Sequence, residues 1–157
     1  MSACARRACT APCDPTVKFA PERLRAALER TLHAASARPV GYCIAFSGGL
    51  DSTVLLAAVG QGGGAPARRA IHVDHGLHPD SAQWSEHCRT QALRLAVPCE
   101  VVRVDARPAP GASPEAAART VRYAALAQRL RPGEVLLTAH HGDDQLETVL
   151  LQWLRGG

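Results

Sequence analysis

Apolar residues form four short, nearly continuous runs along the chain, and these runs alternate with longer segments in which apolar residues recur at helical spacing. The runs predict strands over 40–46, 69–74, 98–104 and 134–140. Helices are predicted over 21–36, from 51 to the QGGG loop at 61–64, over 81–96 and 114–130, and after residue 140. Apolar strands that alternate with helices predict an α/β fold, a doubly wound open parallel sheet with helices on both faces.

Residues 1–20 lack this periodicity and contain Pro12 and Pro15, so we expect a flexible tail followed by one domain over 21–157. The tail also holds three cysteines, Cys4, Cys9 and Cys13. Their spacing does not match the two close pairs of a standard zinc site, which favours an unstructured tail over a metal-binding one. The other three cysteines, Cys43, Cys88 and Cys99, lie in apolar patterns and are predicted core residues.

Composition limits the class of protein. A hydrophobic content of 46% and a charged content of 20% exclude a wholly disordered chain. Lys18 is the only lysine among 18 basic residues, and the net charge is +4. The arginine excess is compatible with a nucleotide or nucleic-acid partner, and equally with an arginine-rich coding habit. No apolar run reaches the roughly 18 residues that cross a membrane, and no secretory signal is evident, which predicts a cytosolic protein without a membrane partner.

The segment SGGLDS at 47–52 follows the first predicted strand, where ligands bind in parallel sheets. Its two glycines let the backbone approach an anion closely, and its serines and the N–H groups of the next helix offer donors. No lysine stands where a Walker A loop has one. Asp51 would repel a phosphate unless a cation lay between them, so it suggests Mg²⁺; its alternative role is a helix N-cap.

The segment HVDHGLH at 72–78 follows the second strand. His72 and Asp74 share one face of that strand, and Asp74 and His75 fall at its tip. These side chains could form a metal cluster, or they could line a nucleotide pocket. His78 is predicted to be a solvated loop residue.

The segment TAHHGDDQLETVLLQWLRGG at 138–157 follows the fourth strand. As a helix it would place apolar residues on one face and His140, Asp144 and Glu147 on the polar face. Asp143 and Asp144 suit the positive end of a helix dipole, but that role does not explain Glu147 or the adjacent His140 and His141. Carboxylates and a histidine at a strand end favour a site for Mg²⁺ or for a general base.

The predicted helix over 114–130 carries Glu115, Arg119 and Arg122 on one face. A solvated face is the default interpretation of such a set. The alternative is that the two arginines reach a polyphosphate.

Together these motifs resemble the PP-loop ATP pyrophosphatase superfamily, whose SGGxDS loop lacks the Walker lysine, and within it the tRNA(Ile)-lysidine synthase family. The matching segments are SGGLDSTVLL at 47–56, IHVDHGLHPDSAQW at 71–84, EAAARTVRYAAL at 115–126 and the segment at 138–157. The resemblance implies that ATP adenylates C2 of the wobble cytidine of tRNA(Ile) with a CAU anticodon. The ε-amine of L-lysine then displaces AMP.

The resemblance also implies roles for individual residues. Phosphate and Mg²⁺ binding would fall to the loop residues Ser47, Gly48, Gly49, Leu50, Asp51 and Ser52. His72 and Asp74 would lie near the adenosine, and Arg119 and Arg122 near the phosphates or the activated intermediate. His140, Asp144 and Glu147 would serve lysine or metal binding and proton transfer, with Asp144 as a second Mg²⁺ ligand.

The family's catalytic domain and tRNA-binding domains continue beyond the matching segments, so we expect an N-terminal fragment that binds ATP weakly and lacks full tRNA modification. The oligomeric state stays open, with a homodimer as one option. Three other functions also stay open. They are a tRNA thiolase, a metallohydrolase built on His72, Asp74, His75, His140 and His141, and a non-catalytic nucleotide-binding fragment.

Overall fold

The computed structural model describes residues 20–34, 38–60, 66–108 and 113–140. Predictions for the tail over 1–19, the QGGG loop and the helix after residue 140 lie outside these ranges. In chain order the elements are α1 Pro21–Ala34, β1 Gly41–Ala45, α2 Leu50–Gly60, β2 Ala67–Asp74, α3 Ser81–Arg94, β3 Cys99–Arg103, α4 Pro114–Arg129 and β4 Glu134–Thr138. Every described strand and helix was predicted, with boundaries that agree within two residues.

The four described strands form one parallel sheet in the order β3-β2-β1-β4. β1 is central, with Ile44 in register between Ala70 of β2 and Leu137 of β4. The chain runs outward from β1 through β2 to β3 and then returns to place β4 on the other side of β1. This reversal is the switch point of a doubly wound sheet, so the predicted fold class is confirmed.

Alternating side chains of β1 contribute to a separate core on each face of the sheet. Tyr42, Ile44 and Phe46 pack with apolar residues of α1, α2 and α3. Cys43 faces the other way and belongs to a cluster that includes Leu126 of α4. Helices therefore cover both faces, as doubly wound folds require.

The cysteine predictions are confirmed for Cys43 and Cys88, which are fully buried, whereas Cys99 is only partly buried. Burial raises the pKa of the Cys88 thiol to about 11, so this side chain is a neutral packing group at physiological pH.

A buried arginine joins the strands at their amino ends, the edge of the sheet opposite the loops that follow the strands. The Arg69 guanidinium donates two hydrogen bonds to Glu134, from Nε at 2.8 Å and from a terminal nitrogen at 2.7 Å. Its other contacts are the carboxylate of Glu100 at 3.5 Å and the carbonyl of Arg129. Arg69 thereby links β2, β3 and β4 to the carboxyl end of α4.

No helix in the described part of the chain is both long and apolar enough to cross a bilayer.

Candidate active site

An open cavity of about 940 Å³ lies at the carboxyl ends of β1, β2 and β4. This is the position that the parallel fold predicts for a ligand site. Among the predicted site residues, the cavity is lined by Ser47, Ser52, His72, Asp74, Arg122 and His140. Residues from four predicted motifs therefore meet at one site although they are far apart in the sequence.

The phosphate loop between β1 and α2 is held by a circuit of hydrogen bonds. The Ser52 hydroxyl donates to the Gly49 carbonyl at 3.0 Å, so the Ser47 hydroxyl must donate to Ser52 Oγ, also at 3.0 Å. The Gly49 N–H closes the circuit on Ser47 Oγ at 3.4 Å. Both serine hydroxyl protons are thus used within the loop, and the backbone N–H groups at the start of α2 become the principal candidates for phosphate donors.

Gly48 occupies a backbone position in which a residue with a side chain would be strained. Its φ is +82°, a left-handed value that glycine adopts without steric cost. A Cβ atom there would lie 2.6 Å from Cys88 Sγ and 3.1 Å from the Trp84 ring. The loop backbone therefore lies directly on α3.

Two further loop residues are exposed beside this backbone. Leu50 begins α2 and is 79% exposed, and Asp51 lies exposed in the first turn of the helix. Because α2 begins before Asp51, this residue does not occupy the N-cap position, and that alternative is wrong. A carboxylate in the first turn remains favourable to the helix dipole.

His72 and Asp74 lie on one face of β2, as predicted, and both are buried. The His72 Nδ1–H donates to the Phe46 carbonyl at 2.9 Å, which fixes the tautomer and leaves Nε2 as an acceptor. Asp74 accepts hydrogen bonds from the Gly76 N–H at 2.9 Å and from Arg103 at 3.2 Å. Burial alone would raise the pKa of Asp74, but these bonds and one from Ser81 together lower it below 3.8.

His75 and Arg122 meet at the cavity wall. Arg122 Nε donates to His75 Nε2 at 3.4 Å, so His75 is neutral and carries its proton on Nδ1. Burial, with the nearby positive charge of Arg122, lowers the pKa of His75 below 6.5. His75 Nδ1 is itself buried and has no hydrogen-bond partner among the residues that the structure describes. A donor of this kind is suited to a ligand acceptor.

Arg119 does not line the cavity directly. It is exposed, and its guanidinium carbon lies 5.4 Å from the centre of the Tyr123 ring. Tyr123 lines the cavity and stacks on His140 at 6.4 Å between ring centroids. His140 in turn pairs through Nδ1 with the Thr138 hydroxyl at 3.0 Å. Of the two predicted arginines, Arg122 therefore lines the cavity, whereas Arg119 contacts the Tyr123 ring and does not line it.

The cavity is also lined by residues that the predicted site did not include, among them Tyr123 and Trp84. Tyr123 could have been found, because it lies four residues after Arg119 on the same helix face. The only indication for Trp84 was a weak one, namely that it lies within the motif at 71–84.

The remaining predicted site residues, His141, Asp143, Asp144 and Glu147, lie outside the described residues. Within the described ranges no group of three or more histidine, cysteine or acidic residues could hold a metal ion. The metallohydrolase alternative therefore has no support from this part of the chain.

Comparison with known proteins gives a family match over most of the chain. A family profile described as a PP-loop domain matches residues 22–157. The chain is 53% identical over 146 residues to tRNA(Ile)-lysidine synthase from Alkalilimnicola ehrlichii, covering 90% of this chain and 31% of the relative. It is 52% identical over 120 residues to the enzyme of the same name from Methylococcus capsulatus, covering 73% of this chain and 27% of the relative.

A third relative, tRNA(Ile)-lysidine synthase from Hydrogenovibrio crunogenus, is 41% identical over 135 residues, which cover 86% of this chain and 32% of the relative. The chain thus spans about a third of the length of these curated relatives.

Proposed function

Since the chain belongs to the PP-loop family, we propose that it is the ATP-binding catalytic part of a tRNA(Ile)-lysidine synthase. Family membership implies ATP binding. The observation that carries the finer proposal is the 53% identity to a relative with this name, over 90% of the chain. The cavity supports it, because residues of the four motifs meet at the carboxyl ends of the strands.

The proposed reaction has two steps. The O2 atom of the wobble cytidine in the CAU anticodon attacks the α-phosphorus of ATP, the bond between the α- and β-phosphates breaks, and pyrophosphate leaves. The ε-amine of L-lysine then attacks C2 of the adenylated cytidine, AMP leaves, and lysidine remains.

The loop between β1 and α2 is proposed to bind the phosphates through backbone N–H groups. Gly48 allows the close approach, and the amino end of α2 supplies a positive dipole end. Arg122, on α4, lines the same cavity as Ser47 and Ser52 of this loop and is proposed to stabilise negative charge on the departing pyrophosphate. A lysine beside the γ-phosphate is not needed, because the γ-phosphoryl group is not the one transferred.

Asp51 fits a Mg²⁺ site that is completed by substrate phosphates. Magnesium is commonly held by one or two carboxylates together with phosphate oxygens and water, and Asp51 is exposed beside the phosphate loop. The ion would neutralise charge on the phosphates. Asp144 stays a proposed second ligand, outside the described residues.

The other groups of the cavity are assigned to the two organic substrates. The buried Nδ1–H of His75 and the Nε2 acceptor of His72 are suited to hydrogen bonds with the adenosine. His140 lies at the end of β4, where proton transfer from the lysine amine is proposed to occur with Glu147. The thiolase alternative lacks support, because the described cysteines do not line the cavity.

Pyrophosphate release tests this proposal. The longest gene product that contains this chain is mixed with ATP, Mg²⁺ and tRNA(Ile) transcript, with and without lysine. We expect tRNA-dependent release of pyrophosphate, and lysine-dependent release of AMP. A transcript whose wobble base is changed from cytidine to uridine is the matched control and should release neither. Sulfur incorporation, or release without tRNA, would contradict the proposal.

Asp51→Ala is expected to lower tRNA-dependent pyrophosphate release by more than about 100-fold, since a bound metal ion supplies several kcal/mol of charge stabilisation. The matched control is Asp105→Ala, which removes another exposed carboxylate that follows a strand but does not line the cavity. That variant should keep full activity. Full activity in Asp51→Ala would show that the carboxylate serves only the helix dipole.

A further inference from the structure

Trp84 is an unusual component of the cavity wall, because a large aromatic side chain is left 48% exposed there. It lies in the first turn of α3, and its indole Nε1–H donates to the Ser47 carbonyl at 2.8 Å. Ser47 is 37 residues away in the sequence. The contact therefore ties α3 directly to the phosphate loop.

Two further contacts fix the ring of Trp84. It stacks on His87, with ring centroids 5.0 Å apart and planes inclined by 21°. The edge of the ring beside the donor, at Cζ2 and Cε2, lies against Gly48, where an added Cβ would come within 3.1 Å. An indole held by both contacts is a rigid donor, so it constrains the group that accepts its proton.

That acceptor belongs to the peptide group between Ser47 and Gly48. In a planar trans peptide the C=O and N–H point in opposite directions. Fixing the Ser47 carbonyl against Trp84 therefore fixes the Gly48 N–H, which points the opposite way within the peptide plane. We propose that Trp84 is a positioning residue, which holds this peptide so that the Gly48 N–H faces the phosphates of ATP. This inference rests on the proposed function for its ligand.

Trp84→Phe is the informative variant, because it keeps an aromatic ring at this position and removes the N–H donor together with the second ring of the indole. One hydrogen bond corresponds to about a fivefold change, so we expect the Kd for ATP, measured by calorimetry, to rise by about fivefold. Trp84→Ala also removes the packing and should raise the Kd by more than about tenfold. A purely structural role would lower the melting temperature and leave the Kd of the folded protein unchanged.

Tryptophan emission gives an independent readout. The indole lies at the cavity, so saturating ATP should change the emission of the parent protein. The change should be lost in Trp84→Phe and retained in Trp153→Phe, which removes the second tryptophan of the chain. Leu93→Ala is the control for α3, since Leu93 is 78% exposed on the same helix and does not line the cavity. It should bind ATP as the parent does.

The possible results distinguish a failure of the Trp84 inference from a failure of the proposed function. An unchanged Kd in Trp84→Phe, or an emission change that persists in that variant, would overturn the role of Trp84 while leaving ATP binding intact. A parent protein that does not bind ATP would overturn both. Weaker binding in Trp84→Phe together with lysine-independent chemistry would support the positioning role and contradict only the lysidine reaction.

Discussion

Gly48→Ala is expected to weaken ATP binding severely and to destabilise the domain. A left-handed φ costs a non-glycine residue about 1–2 kcal/mol. The added methyl group would also overlap Cys88 Sγ, which lies 2.6 Å from the Cβ position in a fully buried site. Overpacking of this kind costs about 1–3 kcal/mol. The loop relieves the overlap only by moving away from α3, which would displace the phosphate donors.

Calorimetric titration with ATP, together with chemical denaturation, measures the two effects of Gly48→Ala. We expect the Kd to rise by more than about 30-fold and the free energy of unfolding to fall by about 2–4 kcal/mol.

Gly133→Ala is the matched control for strain. Gly133 has a φ of +79°, close to that of Gly48, but it lies at the amino end of β4 away from the cavity. Its added Cβ would lie 2.7 Å from Val40 Cγ2 and 3.9 Å from the Val40 backbone nitrogen, and Val40 is 70% exposed, so this residue can move. Gly133→Ala should lose stability and keep the affinity of the parent for ATP. Equal losses of ATP affinity in the two variants would show that Gly48 acts through general stability.

Gly49→Ala tests whether the two adjacent glycines of the loop differ in their tolerance of a side chain. A Cβ at Gly49 would meet Ser47 Oγ at 3.5 Å, an ordinary contact, and Gly49 is not in the left-handed region. We expect this variant to unfold at nearly the same denaturant concentration as the parent. The sequence motif alone does not distinguish the two glycines, because the difference lies in the contact with α3.

The strands were predictable from the sequence for a physical reason. β1 is covered on both faces, so Cys43 and Ile44 are both fully buried, and a short run without polar residues is what such a strand requires. The place of the site followed from the parallel fold, since the loops after β1, β2 and β4 meet at one edge.

Contacts between distant elements were not predictable in the same way. The bond from Trp84 to the Ser47 carbonyl depends on how α3 packs beside the phosphate loop, and hydrophobic periodicity carries no information about which loop a helix will touch. The same holds for His75, whose neutral form is fixed by Arg122, 47 residues away. Predictions for Asp144 and Glu147 stay untested, because these residues lie outside the described ranges.

The burial of Arg69 is a third such case. Arg69 begins the predicted strand, where a charged residue would ordinarily mark the solvated end. In the structure it is only 8% exposed, because Glu134, 65 residues later, supplies a carboxylate in β4. A charge is buried without large cost only when its partner is also present. The pairing therefore depends on the strand order, which the sequence pattern does not specify.

Arg69→Met is expected to lower the free energy of unfolding by about 3 kcal/mol at pH 7, because it leaves the Glu134 carboxylate buried without its cation. Urea denaturation measures the change. The matched control is Arg107→Met, which breaks an equally close ion pair with Asp105 whose side chains are 81% and 61% exposed. Solvent screens an exposed pair, which therefore contributes little to stability, so this control should unfold almost as the parent does.

The double variant Arg69→Met with Glu134→Leu should recover most of the stability that Arg69→Met loses, since an apolar pair of similar volume replaces a buried ion pair at little cost. A double variant no more stable than the single one would show that Arg69 acts through its contacts with Glu100 and Arg129 instead.

The same ion pair predicts the response to acid. Hydrogen bonds from Arg69 lower the pKa of Glu134 from 4.5 to about 2 in the folded protein. A carboxyl group with a lower pKa in the folded state stabilises the fold above pH 4.5, and this contribution is lost as the pH falls towards 2. In Glu134→Gln the protein should be less stable at pH 7, and the part of the acid-induced loss that belongs to Glu134 should disappear. A parent and a Glu134→Gln variant that lose stability in parallel between pH 4.5 and 2 would contradict this assignment, because the titrating carboxylates would then lie elsewhere.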